Sequence, residues 1–469
     1  MRCSSTVLLF ALLLASPVRA QGLATASRSS QTDPFVGGVP TGTASADVLS
    51  LSALDVVTRA LEHNLGVLLA EERIERSNGA RRVALAELLP NVSGRVAELR
   101  QKTNLEAFGF PLRGDFPRIV GPFNVFDARV FLSQTVFDSR ALNEARAETH
   151  RLAAERHSYR GARDLVVLVA ANLYLQVLAT AARAEAVRAQ LETSEALHVQ
   201  AQDLRQSGIV AGIDVVRAEV RVATERQRAT AAENDFQKTQ LQLARVIGLP
   251  IGQRFRLGDD VPNVPIPEMT LEDALERAYR ERPDYLAALE RVRAAEAERR
   301  AASGAQLPSV RVTADYGTIG LSPSTALPTF NVTGAVNVPI FQGGRTQGLA
   351  LQAEAELRDR RAEAEDMRAE VYYDVRSSFL DLQATREQLE AATRGRDLAA
   401  LQLTQARDRF SAGVANNVEV IQAQEAVALA SEQYIAALYG FNVSKALLAR
   451  SVGNAEDAVR RYLGGGSAP

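Results

Sequence analysis

Four histidines and one cysteine are the scarcest reactive groups in this chain of 469 residues, and their placement decides whether it can do chemistry. His150 and His157 stand seven positions apart, so on a helix they share one face, as a metal-ligand pair would. Between them on that face lie Ala153 and Ala154, which offer no third donor, while Glu148 and Glu155 point elsewhere around the helix. No Gly-rich loop ending in Gly-Lys-Ser/Thr is present to cradle a phosphate. The one thiol, Cys3, sits at the extreme N-terminus, where no nucleophile could be built around it. No catalytic, cofactor-binding or metal-ligating residue is therefore expected, and the sequence does not read as an enzyme. Arg/Glu-rich stretches such as 353–370 read as solvated helix faces stitched by i,i+4 pairs.

The N-terminus carries an address instead. Arg2, the apolar run Val7–Ala15, Pro17 and the small-residue signal Val18-Arg19-Ala20 have the order of a secretory signal peptide over 1–20, with cleavage expected before Gln21. The run is about half of the ~20 apolar residues that a spanning helix needs, and no later segment is expected to approach that length. Cys3 precedes the apolar run, whereas in a bacterial lipoprotein the modified cysteine becomes the first mature residue, so a mature chain without lipid is expected. Intact-mass measurement on membrane-extracted protein checks this by the absence of a diacylglyceryl increment. Removing Arg2 and Arg19 from 54 basic residues leaves 52 against 56 acidic ones, a balance that disfavours nucleic acid as a partner. Without tryptophan, with few aromatics and many alanines, the composition suits extended helix packing better than several globular cores.

The chain also contains itself twice. Residues 51–90 align without a gap onto 269–308, and residues 172–248 onto 377–453, so that Leu89-Pro90 meets Leu307-Pro308 and Ile247-Gly248 meets Val452-Gly453. A period of roughly 200 residues is duplication of a whole structural unit, far longer than a solenoid repeat. The expected organisation is a flexible lead-in over 21–48, a first repeat over 49–248, a proline-rich linker over 249–268, a second repeat over 269–455 and a C-terminal tail over 456–469.

Each repeat opens with a helix, Leu51–Leu88 or Leu271–Gln306, stopped by Pro90 or Pro308. The hydrophobic period then changes from 3.6 to 2, predicting strands at about 91–101 and 126–137 in the first repeat and about 309–318 and 329–340 in the second. Phe131 breaks the alternation. After Phe137 and Phe341 the helical pattern resumes without proline for some 68 residues, which at 1.5 Å per residue is roughly 100 Å. Such a rod needs neighbours along its length, and the chain turns back at Gly208 and Gly413 into second helices over 213–247 and 418–452. Gly208 and Gly413 suit the left-handed C-cap, Gly212 and Asn417 the N-cap, and Asp214 and Glu419 the positive first turn.

Two hairpins, each with a continuous apolar face and inserted between long helices of an exported chain, have nothing obvious in their own sequence to cover that face. Lipid can cover it, because strands of about 10 residues match the tilted span of an outer-membrane barrel. Four strands leave two open edges, and each unsatisfied backbone group in hydrocarbon costs several kcal/mol. Two chains would supply eight strands and three would supply twelve. An eight-stranded barrel is filled by side chains, whereas twelve strands leave a lumen that Arg129, Ser133, Asn331, Thr333 and Asn337 could line. A pore would thus be a trimer with Val130, Leu132, Val332 and Val336 toward lipid. A secreted, soluble helical scaffold carrying two ordinary hairpins is the alternative.

The doubled order of helix, Leu-Pro, strand pair ending in Thr135-Val136-Phe137-Asp138 or Pro339-Ile340-Phe341-Gln342-Gly343-Gly344, long helix, Gly turn, then Asp214-Val215 with Ala218-Glu219 or Glu419-Val420 with Ala423-Gln424, resembles the TolC-like outer-membrane efflux proteins over about 50–455. The resemblance implies a mainly α fold with a membrane β-barrel part: four strands per chain closing a 12-stranded trimeric barrel, continued by an α-helical periplasmic tunnel. It implies a homotrimer in the bacterial outer membrane, in contact with its lipid, that docks a periplasmic adaptor (membrane fusion protein) and an inner-membrane pump to export small molecules. The outer-membrane channel of a type I protein secretion system is the other role it allows. Docking is expected at the hairpin tips 208–212 and 413–417, through Gly208, Ile209, Val210 and Gly212 and through Gly413, Val414, Asn416 and Asn417. Family members narrow the tunnel just past the second tip, which places a candidate aperture ring at Val418, Glu419 and Gln422. Glu419 keeps an acid there and Gln422 supplies an amide, so a cation-holding ring would be weaker than a doubled one. Some members carry a lipidated N-terminal cysteine, a feature from which this chain departs.

Overall fold

The computed structural model describes residues 33–105, 107, 117–208, 211–258, 269–412, 414 and 417–458. The signal peptide, residues 21–32, Ile209, Val210, Gly413, Asn416, 259–268 and 459–469 lie outside the described residues.

The helix expected to open each repeat is two helices, and both breaks fall at the same aligned position. In the first repeat α1 (Ala53–His63) gives way to α2 (Leu65–Ala86) at Asn64, whose ψ of 131° is extended. The Asn64 side chain accepts a hydrogen bond from Gly66 N at 2.8 Å and donates to Phe35 O at 2.9 Å, which restarts the helix in a new direction. In the second repeat α5 (Leu271–Glu281) gives way to α6 (Pro283–Gly304) at Arg282, because the residue before a proline is disfavoured in the α region. A 3.6-residue period that continues through both sites conceals the breaks. The N-termini of α1 and α5 are duplicates as well: Ser52 and Thr270 accept from the N–H groups of Asp55 and Asp273.

The strands follow. β2 (Asn91–Asn104), β3 (Ile119–Phe137), β5 (Ser309–Gly320) and β6 (Leu327–Asn337) form one antiparallel sheet in the order β2-β3-β5-β6. β2 and β3 run longer than expected, whereas β6 stops at Asn337, short of 340. A register shift at Thr135/Phe137 inserts one extra residue and turns Phe137 to the same face as Val310. Two short strands, β1 (Leu49–Leu51) and β4 (Phe255–Leu257), pair in parallel and tie the start of the first repeat to its exit. The linker is thus partly structured, and the lead-in is docked from Asp33 onward: a 3-10 turn at Pro34–Val36 is capped by Asp33, and Gly38 bridges Asn64.

The long helices are α3 (Ser139–Gln206, 68 residues) and α7 (Arg345–Ser411, 67 residues), each about 100 Å long. They return as α4 (Gly212–Val246) and α8 (Asn417–Ser451), 35 residues each. α3 lies at the centre, packing on α4, α6, α8, α2 and α1, while α7 packs on α8, α6 and α5. Contrary to the sequence expectation, α3 holds a stretch long and apolar enough to cross a membrane. One face of it, Val166, Val167, Ala170, Ala171 and Tyr174, is buried in the main core with Val56, Val57 and Ala60 of α1. A second core joins Ala274 and Ala278 of α5 to Val371, Val375, Leu448 and Val452. The tail begins as a helical turn at 455–458, held by the ion pair of Glu456 with Arg163 at 2.9 Å.

Candidate functional site

Register sorts the sheet into two faces. Residues directly opposite each other in an antiparallel ladder point the same way. One face carries Val92, Val96, Phe126, Val130, Leu132, Ala314, Tyr316, Phe330, Val332 and Val336, and the other carries Arg95, Asp127, Arg129, Phe131, Ser133, Arg311, Thr313, Asp315, Asn331, Thr333 and Asn337. The apolar face is bare: Tyr316, Phe330 and Val332 are 68%, 75% and 67% exposed. Phe126 and Phe137 bound it on β3. The 11 residues separating them span about 36 Å at ~3.3 Å per residue, or about 25 Å across a membrane at a 45° tilt. From the level of Phe126 outward the apolar phase gives way to Glu98, which stands opposite Phe126, and to Arg100, with Glu98 accepting from Asn124 at 3.3 Å.

The polar face is organised around Arg129. Its guanidinium donates to both carboxylate oxygens of Asp127 and, at 3.0 Å, to Asp315. It also lies 5.3 Å from the centroid of the Phe131 ring, which explains why an aromatic interrupts the polar phase there. Gly317 stands opposite Arg129 in the ladder, and a Cβ at that position would come within 2.1 Å of Ala128 O. Only glycine fits this close approach. The carboxylates on separate strands and the aromatic one register away belong to one cluster that sequence spacing could not show. In the aligned repeats Asp315 falls on Ala97 and Asp127 on Asn331, so duplication gives no signal for this cluster.

At the other end of the rods, Gly208 takes φ +75°, the left-handed turn that its position requires. The helix N-cap is Ala211, not Gly212, which is the first residue of α4 and makes no side-chain cap. Val414 is 71% exposed. Just inside the tips Val215 and Ala218 pack on Ala201, and Val420 and Ala423 pack on Ala406. Val418 and Gln422 lie on the exposed side of α8. Glu419 pairs with Arg409 across its own hairpin at 3.2 Å, and Asp214 pairs with Arg217 at 3.2 Å. Both acids thus have partners besides the helix dipole. Above the tips Arg221, 9% exposed, contacts Glu225 at 3.0 Å and Glu425 of the other repeat at 2.8 Å. The positions of the second repeat aligned with Arg221 and Glu225 are Ala426 and Ala430, so this network is not duplicated.

Midway along the rods the charged groups are largely paired, within the second repeat and between the two. Arg282, 5% exposed at its side chain, is bidentate to Asp284 at 3.0 and 2.6 Å and reaches Asp374 at 2.9 Å. Its charge holds the Asp284 carboxyl below the ordinary range, although burial opposes it. Burial pushes Asp164 up to about 6, against the lowering effect of a hydrogen bond from the Glu456 N–H. His150, a candidate ligand by spacing, instead contacts Glu290 of α6 at 2.8 Å, and burial beside Arg160 lowers the pKa of His157.

A bare apolar sheet standing on 100 Å helical hairpins is the outline of a membrane-inserted protein, and comparisons place it. The fold matches the Campylobacter jejuni CmeC outer membrane channel with a TM-score of 0.74 at 17% identity, covering 90% of this chain and 92% of that one. It matches the open state of the Neisseria gonorrhoeae MtrE outer membrane channel equally, with a TM-score of 0.74 at 17% identity over 89% and 94%. In sequence the chain is 24% identical to the pyoverdine export outer membrane protein OpmQ of Pseudomonas putida over 433 residues, 89% of this chain and 86% of that protein. It is 21% identical to the probable outer membrane lipoprotein SilC of Salmonella typhimurium over 411 residues, 85% of each. The outer membrane efflux protein model matches residues 56–249 and 274–454, nearly the whole of both repeats. The chain belongs to the outer membrane efflux protein family, the TolC-like channels, and is an outer-membrane protein.

Proposed function

We propose that three copies of this chain close a twelve-stranded barrel in the outer membrane and a helical tunnel beneath it, forming the exit duct of a pump that exports small molecules. The observation that carries this reading is the sheet: four strands with one bare apolar face, one polar face and no partner for the outer edges of β2 and β6 among the described residues. In hydrocarbon those edges must be paired, and copies of the same sheet are the natural partners. The adaptor docks at the tips 208–212 and 413–417, and the pump below it selects cargo. A relative named for pyoverdine export favours small-molecule export over protein secretion.

Heat-modifiable migration of the protein from outer-membrane fractions tests the assembly, with a trimer band before boiling and a monomer after. Co-purification of that trimer with an adaptor and an inner-membrane pump tests the role. A monomer that leaves the membrane at high salt would remove the barrel.

A further inference from the structure

The polar face hides its negative charges and shows its positive ones. Asp127 and Asp315 are folded beneath Arg129, with side chains only 19% and 13% exposed. Phe131 backs the Arg129 guanidinium, and Gly317 lets the strands approach at that level. Arg95 stands opposite Arg129 in the ladder, exposed, close enough to act electrostatically on Asp127 without bonding to it. Arg311, opposite Ala335, is also exposed. Among the described residues neither Arg95 nor Arg311 forms an ion pair. Three arginines against two masked aspartates leave one surplus positive charge on this face of each chain.

We propose that the barrel lumen favours anions: Arg95 and Arg311 are the charges that cargo meets, and Arg129 is a positioning residue that keeps Asp127 and Asp315 out of its path. The inference rests on the duct reading, which makes the polar face the lumen. Rings of like charge set ion preference in a pore, and at physiological salt each charge acts over about 8 Å, so Arg95 and Arg311 act on cargo that passes close to the wall. The cargo class that passes most easily is then small molecules bearing carboxylate, phosphate or similar anionic groups.

The test uses the purified full-length protein in planar bilayers under a potassium chloride gradient, read as reversal potential. The double variant Arg95→Gln with Arg311→Gln should shift the reversal potential toward potassium, and Arg95→Lys should leave it in place. Arg129→Gln should shift it toward potassium more than Arg95→Gln alone, because it removes one positive charge and also uncovers two carboxylates. Because an Arg129 variant could fail to assemble, the decisive arm works on channels already formed. Arg95→Cys, in a chain whose one natural cysteine is Cys3, is treated with a cationic or an anionic thiol reagent. The cationic adduct should restore the original value, and the anionic one should drive it further toward potassium. Channels of normal conductance whose reversal potential ignores both reagents and the double variant would overturn the inference while leaving the duct intact. A membrane-extracted trimer that forms no channel at all would overturn the duct reading and the inference with it.

Discussion

Asp164 shows how a single carboxyl can couple the two repeats to pH. It sits on α3, accepts from the N–H of Glu456 at the end of the second repeat, and is raised by burial from 3.8 to about 6. Between about pH 4 and 6 the folded chain therefore holds a proton that the unfolded chain has released, so stability falls as pH rises through that window and the whole cost stands above it. Asp164→Asn keeps an oxygen to accept from the Glu456 N–H and removes the charge. Its thermal midpoint should exceed the parent's near pH 8 by the equivalent of about 1–2 kcal/mol, allowing for partial solvation, and differ little near pH 4. A gain of equal size at both ends would mean that burial of charge is not its cause. Glu419 calls for a different reading at the same scale. Its ion pair with Arg409 makes it a clip within one hairpin, yet three copies could still form a ring of charge around the tunnel axis. Single-channel recordings of Glu419→Gln should show an ion preference shifted further toward anions and weaker block by multivalent cations, with Asp214→Asn as the control. Unchanged behaviour in Glu419→Gln would return the residue to clip and helix cap.

The elements show which parts of the fold a sequence can carry on its surface. Alternation in β5 and β6 gives the faces directly, since Thr313, Asp315, Asn331 and Thr333 fall on one side and Ala314, Tyr316, Phe330 and Val332 on the other. The rods are legible too, because nothing from Ser139 to Gln206 interrupts them. What stays hidden is decided by tertiary contact: the docking of Phe35 against Gly66, the extra residue at Thr135/Phe137, and Phe131 lying under an arginine. The paired breaks at Asn64 and Arg282 belong to this second class, since one duplicated bend is made by an amide cap and the other by a proline with a buried cation. Their chemistry predicts unequal costs. Asn64→Ala should lose about 1–2 kcal/mol, as a helix cap does, whereas Arg282→Met leaves Asp284 and Asp374 facing each other and should lose about 3–5 kcal/mol. Guanidinium denaturation of the two variants checks the order, and adding Asp284→Asn with Asp374→Asn should recover much of the larger loss. The tips are predicted to act on a partner rather than on the fold. Val414→Glu, at an exposed turn, and Ile209→Glu should abolish transport while trimers remain in the membrane, and normal efflux in both would remove the docking assignment.

At the scale of the whole molecule, the same chain must satisfy water in its helical part and hydrocarbon in its sheet. The helical part has cores of its own, on α3 and between α5, α7 and α8. The sheet does not, because its apolar face is exposed and, among the described residues, the outer edges of β2 and β6 have no partner strand. Each edge group left unpaired in lipid costs several kcal/mol, so in the trimer proposed above closure with other copies and insertion into the membrane would be one event rather than two. That coupling makes assembly a sensitive reporter of which face meets lipid. Val332 and Thr333 are neighbours in β6 on opposite faces, both close to mid-strand and both exposed in a single chain. Arginine toward lipid at mid-bilayer costs about 2–4 kcal/mol, and arginine toward a watery lumen costs little. Three chains multiply the difference, since every trimer carries three copies of the substitution. Val332→Arg should therefore reduce the yield of heat-modifiable trimer sharply, while Thr333→Arg should leave the yield near normal and alter conductance instead. Equal loss from both variants would mean that the two faces of this sheet do not divide lipid from water.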